Sequence, residues 1–251
     1  MASAWPPREV LDNAVSLDAT TWRNEFLQIR NWSAVERGRQ YTAMLAGFRS
    51  RKGGHGTHCA GTIGSKDYGV VKKVALVGVT VFNTPPAEDN MAGATTTDIL
   101  NALEYGGQGV STHGKPSVVN LSLGGGPSEA MDNAITTTVR AGVAVCCAAG
   151  NETSLVETTS PARSPLALTV AGHQVYLDRS RNNETNTISR TSMACPHVVG
   201  VTASILSSPA MKSKTPLDVA SELLILADKN KIYGIDGIKG RTVDAIAHLA
   251  I

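Results

Sequence analysis

Three short segments of the chain carry residue types that suit nucleophilic catalysis when they are brought together. HGTHCAG holds His55 at the mouth of a glycine-flanked turn, AAGNE holds Asn151 just after an apolar run, and TSMA holds Ser192. A serine hydroxyl is a poor nucleophile until a neighbouring imidazole takes its proton. Ser192 opens a run in which Val198, Val201, Ile205 and Leu206 share one helical face. Pro196 sits early in that run, where a missing N–H costs least. The spacing therefore predicts a buried helix whose first turn presents Ser192 to the positive end of the helix dipole. An Asn151 amide donating into the same cleft suits a reaction that creates an oxyanion. Taken singly, Ser192 reads as a helix-capping serine and a lone histidine as structural, the role that fits His58. The order and content of all three segments outweigh those readings.

The elements that must position these residues are legible from Gly53 onward. Val74 to Phe82 is nearly continuous in apolar, β-branched character and reads as a buried strand. Asp98 to Tyr105 reads as a helix ended by Gly106 and Gly107. Ser117 to Leu123, Val143 to Ala149 and Leu166 to Ala171 read as further strands, and Ser128 caps a helix that runs to Arg140 and stops at Gly142. A last helix starts at Pro216. In residues 1–50, Val10-Leu11-Asp12 and Val15-Ser16-Leu17-Asp18 are each compatible with a short strand ending on an aspartate, and Trp22, Phe26, Ile29 and Trp32 with an amphipathic turn or two. Alternating strands and helices imply an α/β fold with a mostly parallel sheet and helices on both faces. Active groups gather beyond the carboxyl ends of such strands, which is where Asn120, Ser122 and Asn151 fall.

Composition narrows the function classes. The 251 residues suffice for one α/β domain, and 42% hydrophobic with 18% charged residues marks a globular chain. A net charge of +2 without a basic run argues against nucleic-acid binding. No apolar stretch reaches the ~18 residues that a membrane span needs. The first residues, MASAWPPREVLDN, lack the apolar core of a signal peptide. Cys59, Cys146, Cys147 and Cys195 lie in apolar or glycine-rich segments and read as buried small hydrophobes rather than a disulfide framework. The spacing of His55, His58 and Cys59 matches no common zinc site, and neither Cys59 nor Cys195 has a separate base and orienter of its own.

HGTHCAGTIGS, VVNLSLGGG, AAGNE, SPA and TSMACPHVVG resemble the subtilisin-like serine peptidases, most closely the proteinase K branch, and YGVVKKVALVGVTVF is similar to the same branch. The resemblance covers roughly residues 53–251 of a single domain spanning 1–251 and is poor over 1–52. It implies a three-layer subtilisin-like fold in an incomplete version, and serine endopeptidase activity on polypeptide substrates. By position it makes Ser192 the acylating nucleophile, His55 the general base, and Asn151 the oxyanion-hole amide acting with the Ser192 backbone N–H. Ser122, Leu123 and Gly124 become the edge that pairs with an extended substrate, and Ala148 to Gly150 a wall of the pocket beside the scissile bond. It implies a monomer without nucleic-acid or membrane partners, and secretion, with localisation otherwise open.

Four departures accompany the resemblance. The family's acid ends a strand as Asp-Thr/Ser-Gly, a tripeptide this chain lacks; Asp12 lies 43 residues before His55 and Asp18 37 residues before it. The corresponding interval in subtilisin is about 32. His55 to Ser192 spans 137 residues, roughly 20 fewer than in subtilisin. The shortage falls within residues 171–190. That missing segment carries the family's calcium-binding aspartate, so carbonyls near Pro165 and Ala167 are left without it and no cofactor is expected. Third, Arg190 stands where the family has glycine. Fourth, the family's usual signal and pro-segment do not precede residue 54. These departures imply an alternative: a catalytically impaired relative, either a peptide-binding pseudoenzyme or a truncated gene product.

Overall fold

The computed structural model describes residues 14–17, 42–46, 55–65, 69–79, 81–82, 94–152, 154–172, 191–211, 213–229, 242–243 and 245–247. In chain order these hold β1 (Ala14–Leu17), β2 (Thr42–Ala46), α1 (His55–Gly64), β3 (Ala75–Val79), α2 (Thr96–His113), β4 (Ser117–Leu121), α3 (Glu129–Arg140), β5 (Val143–Ala148), β6 (Leu168–Gly172), α4 (Thr191–Ser207), α5 (Pro216–Leu226), β7 (Asp228–Lys229), β8 (Thr242–Val243) and β9 (Ala245–Ile246). Seven strands form one sheet in the order β3-β2-β4-β5-β6-β1-β8, and each neighbouring pair is parallel. β7 and β9 make a separate antiparallel pair.

Side-chain alternation along the central strands builds a core on each face of the sheet. Val118 of β4 and Ala144, Cys146 and Ala148 of β5 face α1, α4 and α5. Val119 and Leu121 of β4, with Val143, Val145 and Cys147 of β5, face α2 and α3. The sizes are asymmetric: β5 turns Ala, Cys and Ala toward α4 and Val, Val and Cys away from it. Small residues under α4 let that helix lie close to the sheet, and this sets its first turn near the strand ends. The result is the expected three-layer α/β architecture.

One expected boundary is corrected. The helix beginning near Asp98 does not stop at Gly106 and Gly107 but runs on to His113. A glycine inside a helix costs only about 1 kcal/mol against alanine, too little to end a helix already nucleated. The chain instead leaves the helix at Gly114, whose φ of +61° is the left-handed conformation that ends helices. Gly142, with φ +94°, does the same after α3, as expected.

β2, from TAMLA, was not legible as a strand, yet it sits between β3 and β4, one strand in from the edge of the sheet. β1 does form from the Val15-Ser16-Leu17 stretch, but beside β6, with Leu17 level with Gly172. That leaves β1 four strand positions from β2, roughly 19 Å at the usual inter-strand spacing. Asp12, Asp18 and the Trp22–Trp32 stretch lie outside the described residues, as do 173–190 with Arg190.

Gly200 in α4 marks the tightest helix contact: a Cβ built there would stand 2.5 Å from the Cβ of Val70. Alanine gains about 1 kcal/mol of helix propensity over glycine, but overpacking a rigid interior costs about 1–3 kcal/mol. The clash involves a backbone-proximal atom that cannot swing away. Gly200→Ala should therefore lower the denaturant midpoint, and adding Val70→Gly, which removes the obstructing Cβ, should recover part of the loss.

Candidate active site

The N-terminus of α4 is where the three chemistry-bearing segments meet. Pro196 lies one turn into this helix, and it has no N–H to give to the carbonyl of Ser192, its i−4 neighbour. That carbonyl is taken up from outside the helix: the Ser122 hydroxyl donates to it at 2.8 Å, and the Cys59 thiol lies 3.6 Å away. Ser122 is in turn held by Asn120, whose Nδ2 reaches its Oγ at 3.0 Å. Both residues are buried. Ser122 thus turns its hydroxyl under the helix rather than into the cleft.

The first-turn N–H groups of α4 also have no intrahelical acceptors. Asn151 supplies one: its Oδ1 accepts from the Thr191 backbone N at 3.0 Å and from the Thr191 hydroxyl at 3.2 Å. The Thr191 hydroxyl accepts in its turn from the Gly150 N–H at 3.2 Å. Two donors on Oδ1 settle which way the amide faces, so Nδ2 is the group Asn151 presents to the cleft. A cleft of about 390 Å³ opens there, lined by Leu123 to Gly126, Ala148, Gly150, Asn151, Glu152, Thr158, Thr159, Thr191 and Ser192 among others. Of the expected substrate-edge and pocket residues, Leu123, Gly124, Ala148 and Gly150 line it, and Ser122 does not. Glu152, which accepts from the Asn151 N–H at 2.7 Å, was not singled out from sequence. Nothing in a one-dimensional pattern says which residue after a strand folds back on its wall.

His55 is the first residue of α1. One turn on, Cys59 touches the Ser192 carbonyl, and at i+3 His58 Nδ1 lies 2.6 Å from Met193 Sδ. Residues three and four apart share a helix face. His55 therefore projects from the face packed against the first turn of α4, at its solvent end. Although His55 as a whole is exposed, partial burial of its ring disfavours the imidazolium and lowers its pKa. Among the described residues no carboxylate lies within hydrogen-bonding reach of His55. The strand closest to α1 in the sheet after β3 is β2, whose TAMLA sequence carries no acid.

The four thiols are free and buried. Burial pushes Cys59 and Cys146 up to about 12 and raises Cys147 and Cys195 as well. Burial thus disfavours the thiolate, the form of cysteine that acts as a nucleophile. Calcium needs six to eight oxygen ligands. Among the described residues no group of three or more His, Cys, Asp or Glu side chains is placed to hold a metal ion.

The Subtilase family model matches residues 9–176, and the chain belongs to that family. The match begins well ahead of His55 and ends before Ser192. A cuticle-degrading protease of Metarhizium anisopliae is 34% identical over 217 residues, 77% of this chain and 54% of that protein. An extracellular serine proteinase of Thermus sp. (strain Rt41A) is 37% identical over 220 residues, 78% of this chain and 51% of that one. The chain thus spans about half the length of these curated relatives. Its fold is similar to a cold adapted subtilisin-like serine proteinase, with a TM-score of 0.68, 28% identity, and 99% of this chain and 100% of that chain covered. Among the described residues no helix is long and apolar enough to cross a membrane.

Two predictions follow from this geometry. Thr191→Val removes the hydroxyl that joins Gly150 to Asn151 and should cost about 1–2 kcal/mol in denaturant unfolding. The second concerns acid. Burial, with like-charge contributions from His197 and His55, pushes His58 down to about 4. A histidine whose folded pKa lies below its unfolded value of about 6.5 binds its proton more readily when unfolded. Its contribution is complete above about pH 6.5 and is lost as pH falls toward 4, up to about 3 kcal/mol. Unfolding midpoints measured between pH 7 and 4.5 should fall, and His58→Asn should flatten that slope.

Proposed function

We propose that this chain is a single peptidase domain that hydrolyses peptide bonds through an acyl-enzyme on Ser192. The observation that carries the reading is the Asn151 amide, whose oxygen is held by Thr191 beside the cleft that Asn151 and Ser192 both line, which leaves Nδ2 as the donor for an oxyanion. His55 takes the Ser192 proton as the hydroxyl attacks the substrate carbonyl. The resulting oxyanion is met by Asn151 Nδ2 and by the Ser192 N–H at the positive end of α4. His55 then returns its proton to the leaving amine, and water releases the acyl group by the same steps in reverse roles. No metal or cofactor enters this scheme.

The substrate lies as an added strand along Leu123 to Gly126. Gly125 already pairs with Ser160 on one side, donating its N–H to Ser160 O at 2.9 Å and accepting the Ser160 N–H at 3.2 Å. In an extended segment neighbouring residues direct their N–H and C=O groups to opposite sides. Gly124 and Gly126 are therefore the residues that offer backbone partners to a peptide. Export belongs to the same proposal, supported by the Thermus relative's being named extracellular.

A second reading is favoured by one feature: β2 brings no carboxylate to α1, and burial lowers the His55 pKa without an acid to offset it. In subtilisin, loss of the acid lowers turnover by about 3 × 10⁴, whereas loss of serine or histidine costs about 2 × 10⁶. On this reading the domain binds peptides and turns them over poorly.

A fluorophosphonate probe separates the two. Folded protein should be labelled at Ser192, and Ser192→Ala should abolish labelling; a folded chain that never labels sinks the peptidase reading. Labelling should rise with pH as His55 loses its proton and level off below the ordinary histidine value of about 6.5, since burial holds the free base at lower pH.

A further inference from the structure

The cleft wall opposite the Gly124–Gly126 edge does not stand on its own contacts. Thr158 and Thr159 line the cleft, and the chain then passes through Ser160, whose backbone pairs with Gly125 in both directions. Ser160 is held from behind by α3. Its hydroxyl donates to Asp132 Oδ1 at 2.8 Å and accepts the Ser128 N–H at 2.9 Å, just ahead of the helix. The other carboxylate oxygen of Asp132 takes the Arg163 Nε at 2.6 Å. Arg163 N in turn donates to Thr159 O at 2.8 Å, closing the 159–163 turn. Both charged side chains are mostly covered, with 26% of Arg163 and 20% of Asp132 exposed, so solvent screens the pair less than a surface ion pair. Neither residue lines the cleft.

We infer that Asp132 is a positioning residue for peptide binding: its two carboxylate oxygens clamp Ser160 and Arg163 and so hold the Gly125–Ser160 bridge that sets the spacing of the cleft walls. The role rests on the peptidase reading for its consequence in turnover, but the clamp itself acts on peptide affinity and can be read without chemistry. The bridge joins an exposed glycine loop, Gly124 to Gly126, to the buried Thr159–Ser160 segment. Three glycines in a row have no side chains with which to fix their own path. Their register is therefore borrowed from Ser160, and Ser160 borrows its own from Asp132. Asparagine in place of Asp132 keeps the acceptor for Ser160 and loses the charge that holds Arg163. Glutamine in place of Arg163 makes the complementary cut.

The experiment places Asp132→Asn, Arg163→Gln and the double variant in a Ser192→Ala background and measures Kd for a fluorescent peptide of six to eight residues. Each single variant should weaken the peptide by about tenfold, and the double variant by about the same factor rather than the product, because the two residues act as one unit. In the Ser192 form, KM should rise by a similar factor with kcat within about twofold. Unchanged Kd with a lowered unfolding midpoint would overturn the inference, leaving the pair a stabilising one only; multiplicative effects in the double variant would overturn it too. Should Asp132→Asn fail to fold, Arg163→Gln carries the same test. Because the Kd series needs no turnover, a chain that fails to label with fluorophosphonate would reject the peptidase reading and leave this test standing.

Discussion

The structure turns on one unpaired carbonyl. Pro196 deprives the Ser192 C=O of its helical partner, so the first turn of α4 cannot close on itself and must be completed by other elements. Ser122 from the end of β4 and Cys59 from α1 reach that oxygen, while Asn151 from the end of β5 completes the N–H side through Thr191. An orphaned buried carbonyl costs about 1–3 kcal/mol. Satisfying it from two different elements makes the position of Ser192 a property of the whole layer arrangement. A proline that would weaken an isolated helix here ties the reactive turn to the sheet.

The asymmetry of the central strands serves the same end. Ala144, Cys146 and Ala148 leave room beneath α4, and Gly200 leaves room above it for Val70. The helix is sunk against the sheet, so its N-terminus lies level with the strand ends and its dipole opens toward the cleft. The buried thiols are part of this economy of volume: small, apolar in effect, and held protonated by burial. The neutral histidines His58 and His197 line the same turn, His58 against Met193 Sδ and His197 with its Nδ1 2.9 Å from Met193 O. Their environment favours the uncharged ring, so the core beneath the site stays free of charge near neutrality.

Among the described residues, no carboxylate reaches His55 from the neighbouring strands. Parallel sheets place their functional groups by strand order, because each strand delivers one C-terminal end to a fixed position along the edge. Here the place between β3 and β4 is filled by β2, without an acid, while the strand preceding Asp18 lies beyond β6. A nucleophile, an amide donor and a substrate edge are assembled by one half of the sheet.

Much of this was decided by residue order alone. The family was legible because HGTHCAG, AAGNE and TSMA are dictated by local chemistry: two helix starts and a strand end each demand particular residues within a few positions, although HGTHCAG, expected as a glycine-flanked turn, lies wholly inside α1. The strands and helices from Val74 to Leu226 were legible for the same reason, through period and caps, apart from the glycine pair in α2 that a long helix absorbs. The tertiary structure alone decided the rest. It turned Ser122 under the helix instead of into the cleft, brought Glu152 back onto the cleft wall, and placed TAMLA between β3 and β4 though its five residues carry no distinguishing alternation. It also set β1 beside β6. These outcomes depend on pairings between segments up to ~150 residues apart, and a local pattern carries no information about which distant strand will supply the other half of a hydrogen-bonded ladder.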